Sequence, residues 1–123
     1  MARHNMLGKW GEDIACAKLV AEGYAICDRN WRMGHYEIDI VAMRGDTLVF
    51  AEVKTRSEPD IDPLEAVDNR KMAHMAASAG VYVESHNLPH DIRFDLFGIS
   101  GTPEGGYTVE HIADAFDVPI TSY

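Results

Sequence analysis

Apolar residues recur with two different periods along the chain. They repeat roughly every 3.6 residues over residues 8–22 and again over residues 63–83, which predicts two helices that each bury one face. Gly23 is placed to end the first helix. Asp62-Pro63 is suited to begin the second, because aspartate caps a helix and proline fits its first position.

Five shorter segments have the alternation or the continuous apolar character of strands. They are residues 24–31, 37–43, 47–55, 93–99 and 107–112. The predicted order, α-β-β-β-α-β-β, favours an α/β fold in which helices flank a mixed sheet. A chain of 123 residues is large enough for one packed core, so residues 1–123 are predicted to form a single domain.

The second and third strands form a predicted hairpin that collects charged side chains. A two-residue type II′ turn at Gly45-Asp46 would pair Asp39 with Glu52 and Glu37 with Lys54. The strand pattern alone is equally compatible with solvated carboxylates that form a salt bridge with Lys54. However, the residues just before Glu52 are apolar on both faces, which is typical of a buried strand, and buried carboxylates need partners.

Glu12 adds another acidic side chain to this region. It lies on the same helical stripe as Ala15 and Leu19, so it is predicted to point inward, where an unsatisfied carboxylate is costly. Two carboxylates about 5 Å apart repel by roughly 3 kcal/mol at an effective dielectric near 20. A bound cation would relieve both problems, and oxygen ligands favour Mg²⁺ or Mn²⁺ over zinc.

The net charge of −9 at face value argues against a nucleic-acid partner. The charge is uneven, with −3 on residues 1–71 and −6 on residues 72–123. Five basic residues of the first part are candidates for phosphate contacts, although exposed basic side chains are ordinarily solvated: Arg29, Arg32, Arg56, Arg70 and Lys71. Trp31 and Tyr36 are candidates to stack on a base, although an aromatic residue of a sheet more often packs against its neighbours.

The expected location is the cytoplasm. Cys16 and Cys27 make no Cys-x-x-Cys pair and are predicted to be free core thiols in a reducing compartment. The chain has no apolar run of about 18 residues that would span a membrane, and its first residues lack the apolar centre of a signal peptide. No membrane partner is therefore expected.

The hairpin and the first helix carry a resemblance to a known group of enzymes. Asp39, a turn and then Glu52-Val53-Lys54 resemble the PD-(D/E)xK signature of restriction-endonuclease-like nucleases, which a helical acid such as Glu12 precedes. A longer series, spread over roughly residues 8–99, resembles the small bacterial YraN-like family. The matching segments are Gly11-Glu12, Gly23-Tyr24, Arg29-Asn30-Trp31-Arg32, Glu37-Ile38-Asp39, Leu48-Val49-Phe50, Glu52-Val53-Lys54-Thr55-Arg56, Glu65-Ala66-Val67, Lys71 and Arg93-Phe94-Asp95.

The resemblance implies a restriction-endonuclease-like core and a role for each matched residue. Asp39 and Glu52 would bind the metal ion, and the carbonyl of Val53 would be a further ligand. Glu12 would complete the coordination directly or through water. Lys54 would orient or help to deprotonate the attacking water and would stabilise charge on the phosphate.

The function implied is Mg²⁺- or Mn²⁺-dependent hydrolysis of DNA, including branched DNA, because the family is similar in pattern to archaeal Holliday-junction resolvases. Glu37 would contact the ligands rather than the metal. Junction cutting needs two sites, so a homodimer is compatible with this function. Two other functions stay open: a nucleic-acid-binding module of the same fold without turnover, and a protein–protein adaptor whose acidic residues 72–123 dock a basic partner.

Overall fold

The computed structural model describes residues 2–87 and 91–117. Its elements are α1 (Ala2–Ala21), β1 (Ala25–Met33), β2 (Tyr36–Arg44), β3 (Thr47–Arg56), a 3₁₀ helix (Pro63–Ala66), α2 (Asn69–His86), β4 (Asp91–Thr102) and β5 (Gly106–Ile112). The strands form one sheet in the order β1-β2-β3-β4-β5. Strands β3 and β4 are parallel, and the other neighbours are antiparallel. The predicted α/β class, mixed sheet and element order are confirmed.

The two long helices cover opposite faces of this sheet. The buried cluster on the α1 side contains Ala15, Cys16, Leu19, Tyr24, Ile40, Ala42, Val49, Ala51 and Phe97. The buried cluster on the α2 side contains Ile38, Val41, Leu48, Phe50, Met75, Ala79, Tyr82, Phe94 and Leu96. Because both faces of β3 are covered, residues 48–51 are almost inaccessible to solvent, as their continuous apolar character predicts.

The first helix is longer than predicted at its start. It begins at Ala2 rather than at residue 8, since residues 2–7 contain neither proline nor glycine to prevent helix formation. It ends as predicted just before Gly23, which has a φ of +93°. Leu19 is buried on the inner face of the helix, whereas the neighbouring apolar residue Val20 is exposed. In the described part of the chain, no helix has the length and apolar character needed to cross a membrane.

The single helix predicted over residues 63–83 is two elements. The backbone N–H of Leu64 donates to Asp62 Oδ1 at 3.0 Å, which caps the 3₁₀ helix. Asp68 provides a second cap, because its Oδ1 accepts from the backbone N–H of Lys71 at 2.9 Å where α2 begins. Val67 is extended between them, with φ −94° and ψ 91°. Helix α2 then makes the crossover that the parallel strands β3 and β4 require.

The two cysteines differ in environment. Cys16 is buried, as predicted, whereas Cys27 is exposed, and both are free thiols. The prediction of a core thiol is wrong for Cys27 because the pairing of β1 with β2 shifts between Ile26 and Asp28. An irregularity of this kind interrupts the alternation of side chains between the two faces of a sheet.

The hairpin forms with the predicted register. Strands β2 and β3 pair from Arg44↔Thr47 to Ile40↔Ala51, and Gly45 at the first turn position has a φ of +59°, as a type II′ turn requires. The pairing ends there, however. The predicted pairs of Asp39 with Glu52 and of Glu37 with Lys54 are therefore absent from the described ladder.

The end of the ladder coincides with a distortion in the neighbouring strand. The pairing of β1 with β2 passes from Arg29↔Ile40 to Trp31↔Ile38 and skips Asn30 and Asp39. Asn30 is left-handed, with a φ of +52°. Alternation is lost at this point, because Ile38 packs in the cluster on the α2 side and Ile40 in the cluster on the α1 side. Regular alternation along the strand would have placed these two isoleucines on one face.

Gly11 sets how closely α1 approaches the sheet, and this makes a testable prediction. A Cβ atom at Gly11 would overlap Thr55 Oγ1 and lie 3.4 Å from Ile99 Cδ1, whereas a Cβ at Gly8 would meet no atom within 4 Å. Gly11→Ala should therefore lower the free energy of unfolding by about 1–3 kcal/mol, and Gly8→Ala should raise it by up to about 1 kcal/mol. Urea denaturation of both variants measures this. Equal stability of the two would contradict the close approach.

Candidate functional site

A cleft of about 230 Å³ lies where β2 and β3 separate, and it contains the residues singled out from the hairpin and the first helix. All four predicted catalytic residues line it, namely Glu12, Asp39, Glu52 and Lys54. The cleft is also lined by Val53, which was predicted as a further ligand, by Glu37, and by the basic residues Arg56 and Lys71. The structure thus brings together side chains from α1, β2, β3 and α2.

Asp39 lies in the opening between the two strands. Its Oδ2 accepts a hydrogen bond of 2.8 Å from the backbone N–H of Val53, a residue just beyond the end of the ladder. Burial raises the pKa of Asp39 to about 7, and the neighbouring carboxylate of Glu52 adds to this shift. The bond from Val53 and the charges of Lys71 and Lys54 oppose the shift without cancelling it. Asp39 is therefore a carboxyl group whose ionised form lacks sufficient positive charge around it.

Glu52 is almost fully buried and is held between two lysines. Its Oε2 lies 3.5 Å from Lys54 Nζ and 3.4 Å from Lys71 Nζ. Lys54 belongs to the same strand, whereas Lys71 reaches Glu52 from α2. The sequence assigned Lys71 only to nucleic-acid contact. Its position four residues before the buried Met75 was the signal for an inward-facing side chain.

Glu12 points toward the cleft, as its place on the helix predicts, and its side chain is 17% exposed. Asn30 Nδ2 donates to Glu12 Oε1 at 2.9 Å, and Arg29 Nη2 lies 3.7 Å from the same oxygen. Burial raises the pKa of Glu12, and the hydrogen bond from Asn30 partly opposes that shift. Sequence reasoning gave Asn30 no role. Asn30 has a left-handed backbone conformation, which few residue types other than glycine and asparagine adopt readily. The asparagine was therefore the one sequence signal for a distortion at this position.

The donor set of the cleft fits a hard divalent cation in chemistry. Glu12, Asp39 and Glu52 offer carboxylate oxygens, which Mg²⁺ and Mn²⁺ prefer. Within residues 2–87 and 91–117, no three acidic, histidine or cysteine side chains are already arranged to hold a metal ion. Protein donors contact these carboxylates instead, and the two lysines are closest to Glu52. Metal binding would therefore require Glu52 to exchange its ammonium partners for the cation.

The five predicted phosphate contacts divide into two groups. Arg56 and Lys71 line the cleft. Arg29 instead pairs with Asp13 at 2.8 Å, and Arg32 pairs with Glu37 at 3.2 Å. Arg70 is exposed at the start of α2. Nucleic-acid binding by these residues stays a prediction, with Arg56 and Lys71 placed nearest to the acidic side chains.

A second buried charge network lies on β4 and β5. Asp95 is fully buried, and Arg93 donates to its two oxygens at 2.9 and 2.8 Å. His111 Nε2 lies 2.7 Å from Asp95 Oδ2, and the backbone N–H of Asp114 donates at 3.1 Å. Burial acts to raise the pKa of Asp95, but the bonds from His111 and Arg93 outweigh it and lower that pKa to about 2. This fully satisfied carboxylate connects the edge strand β5 to β4.

The sequence comparisons place the chain in a family. The model of the uncharacterised protein family UPF0102 matches residues 11–99, a range that includes the cleft from Glu12 to Lys71. The chain belongs to this family. The UPF0102 membership confirms the predicted relationship to the YraN-like proteins, while the restriction-endonuclease-like core stays a prediction.

Its UPF0102 relatives match along nearly their whole length. A UPF0102 protein of Bacteroides fragilis is 41% identical over 121 residues, which cover 98% of this chain and 99% of the relative. One of Parabacteroides distasonis is 42% identical over 120 residues, 97% and 98% of the two chains. One of Parafrankia sp. is 46% identical over 112 residues, 89% and 95% of the two chains. None of these three names states an activity.

The raised pKa of Asp39 predicts how stability depends on pH without metal. Between pH of about 4 and 7, the folded state keeps a proton that the unfolded state has lost, so Asp39 makes stability fall as pH rises through this window. Asp39→Asn should remove this penalty and raise the free energy of unfolding by about 1–3 kcal/mol at pH near 8, with no gain at pH near 4. Denaturant unfolding in EDTA at both pH values measures this. A variant no more stable than wild type at the higher pH would contradict it.

Proposed function

We propose that this UPF0102 protein is a Mg²⁺- or Mn²⁺-dependent nuclease with a restriction-endonuclease-like site that hydrolyses phosphodiester bonds of DNA. The observation that supports the proposal is the convergence of Glu12, Asp39, Glu52 and Lys54 on one cleft, although they come from three separate elements. Solvated residues of an amphipathic hairpin would not explain this, because Glu52 is 5% exposed and Asp39 is buried enough to shift its pKa.

Asp39 and Glu52 would hold the metal ion, with the carbonyl of Val53 and with Glu12 as further oxygen donors. When bound, the cation supplies Lewis acidity and neutralises charge that develops on the phosphate. The cleft provides what such a cation needs, which is several carboxylates in a partly enclosed place. Glu37 pairs with Arg32 at the margin and so helps to fix the acidic end of β2.

The two lysines provide the complementary positive charge. Lys54 and Lys71 are 28% and 23% exposed at their side chains, so a phosphate can approach both. Both contact the same oxygen of Glu52, and a cation bound by Glu52 would release them toward the substrate. Lys54 would then orient the attacking water and stabilise the phosphate, while Lys71 and Arg56 would bind the backbone.

A nucleic-acid-binding module without turnover is the second candidate. It is favoured by the ion pairs with Lys54 and Lys71, which neutralise Glu52 without a cation. The two candidates differ in what Asp39 does. In the nuclease it is a metal ligand required for cleavage, whereas in the module its ionised form only opposes the binding of a phosphate.

Cleavage of supercoiled and branched DNA in Mg²⁺ or Mn²⁺ separates these functions. Wild type should cut, and Asp39→Asn and Lys54→Ala should each lower the rate by roughly 10²–10³-fold or more, because each removes a group that stabilises the transition state. Asp46→Asn is the matched control, since it makes the same change on the exposed turn of the same hairpin. Binding without cleavage by wild type would support the module. If wild type neither bound nor cut DNA, that result would support a protein–protein adaptor.

Calorimetric titration with Mn²⁺ tests the ligands independently of activity. Glu52→Gln should weaken Mn²⁺ binding by more than roughly 10–100-fold. That range is the loss expected when a residue that only supports a metal ligand is replaced. Lys54→Ala should keep the affinity or increase it, because a competing ammonium group is removed. Glu58→Gln changes an exposed glutamate after β3 and should have no effect. Undiminished Mn²⁺ affinity in Glu52→Gln would exclude Glu52 as a ligand.

A further inference from the structure

Three rings meet beside the cleft, where the turn between β1 and β2 approaches α2. We call His35, Tyr36 and His74 the ring patch. The centroids of His35 and Tyr36 are 4.3 Å apart, and those of Tyr36 and His74 are 6.1 Å apart with planes only 15° from parallel. His35 and His74 are 6.2 Å apart with planes 30° from parallel. The three planes thus share one general orientation.

The ring patch is not part of the described hydrophobic core. Trp31, on the neighbouring strand, packs its ring edge-on against Tyr82 at 5.2 Å and belongs to the cluster on the α2 side, as predicted for an aromatic residue of a sheet. Tyr36 belongs to neither buried cluster, and His35 is exposed. Tyr36 is half-buried and packs against His35 and His74 instead.

Tyr36 and His74 of the ring patch lie on β2 and α2, two of the four elements that form the cleft. Tyr36 directly precedes Glu37 of the cleft in β2, and its side chain points to the opposite face of the strand, where its ring lies against His74 of α2. His74 follows Lys71 of the cleft by three residues in α2, about 4.5 Å along the helix and on the same side. A phosphate bound in the cleft would have its neighbouring base within reach of the rings.

We propose that the ring patch stacks an unpaired nucleobase next to the phosphate held in the cleft. This inference rests on the proposed function, and it narrows the substrate to single-stranded DNA or to DNA with unpaired bases at branches. In continuous duplex the base faces are covered by their neighbours, so a stacking surface has nothing to contact. Aromatic surfaces combined with basic side chains, here Lys71, Lys54 and Arg56, are how proteins bind single strands without reading sequence.

Fluorescence anisotropy with labelled single-stranded DNA and with the matching duplex, both in Ca²⁺ as a cation that oxygen ligands bind, tests the ring patch by binding alone. Tyr36→Ala should weaken single-strand binding by roughly 5- to 150-fold, the range for loss of one stacked base. Duplex binding should change by no more than about twofold. Tyr36→Phe keeps the ring and should bind like wild type. Tyr107→Ala is the matched control, because Tyr107 is a half-exposed tyrosine of β5 that pairs with Trp10 and does not line the cleft.

His74→Ala gives a second test in a different element, and it should weaken single-strand binding in the same direction. The proposal for the ring patch would be overturned if wild type did not bind single-stranded DNA or if neither variant weakened that binding. It would also be overturned if the variants weakened single-strand and duplex binding equally. Cleavage in Mn²⁺ is scored separately. If binding depends on the rings but wild type does not cleave, the result supports the role of the ring patch and contradicts the nuclease. If wild type cleaves but binding does not depend on the rings, the result supports the nuclease and contradicts the role of the ring patch.

Discussion

The candidate site depends on one interruption, the end of the β2–β3 ladder at Ile40↔Ala51. Had pairing continued, Asp39 and Glu52 would lie side by side on one face of the sheet, about 5 Å apart at Cβ. Instead the strands separate, and Asp39 accepts a hydrogen bond from the backbone of Val53 within the opening. The opening lets Glu12 approach from α1 and Lys71 from α2, so both covering layers contribute to a single cleft.

Two aspartates, the buried Asp95 and the half-buried Asp39, show how environment divides their roles. Asp95 accepts hydrogen bonds from Arg93 and a backbone N–H and lies against His111, and its pKa is lowered to about 2. Asp39 has one backbone donor and a carboxylate neighbour, and its pKa is raised to about 7. A satisfied carboxylate stabilises the fold, whereas an under-compensated one in a cleft is typical of a functional site. The structure thus assigns different physical roles to two acids that both lie within the family match.

Much of the fold could be predicted because local signals were sufficient. Gly45-Asp46 set the hairpin register, the continuous apolar run marked β3 as buried, and the place of Glu12 on its stripe turned it inward. The features that were missed depend on contacts between elements. The left-handed Asn30 opposite Asp39 is not visible in an apolar pattern, and neither is the cap at Asp68 that divides the second helix.

The most direct test is a crystal soaked in Mn²⁺ and measured at a wavelength where manganese scatters anomalously. We expect one strong anomalous peak in the cleft, bonded to carboxylate oxygens of Asp39 and Glu52, with the ammonium groups of Lys54 and Lys71 moved away from Glu52. An empty cleft at saturating Mn²⁺, with both lysines still on Glu52, would contradict a metal site where β2 and β3 separate.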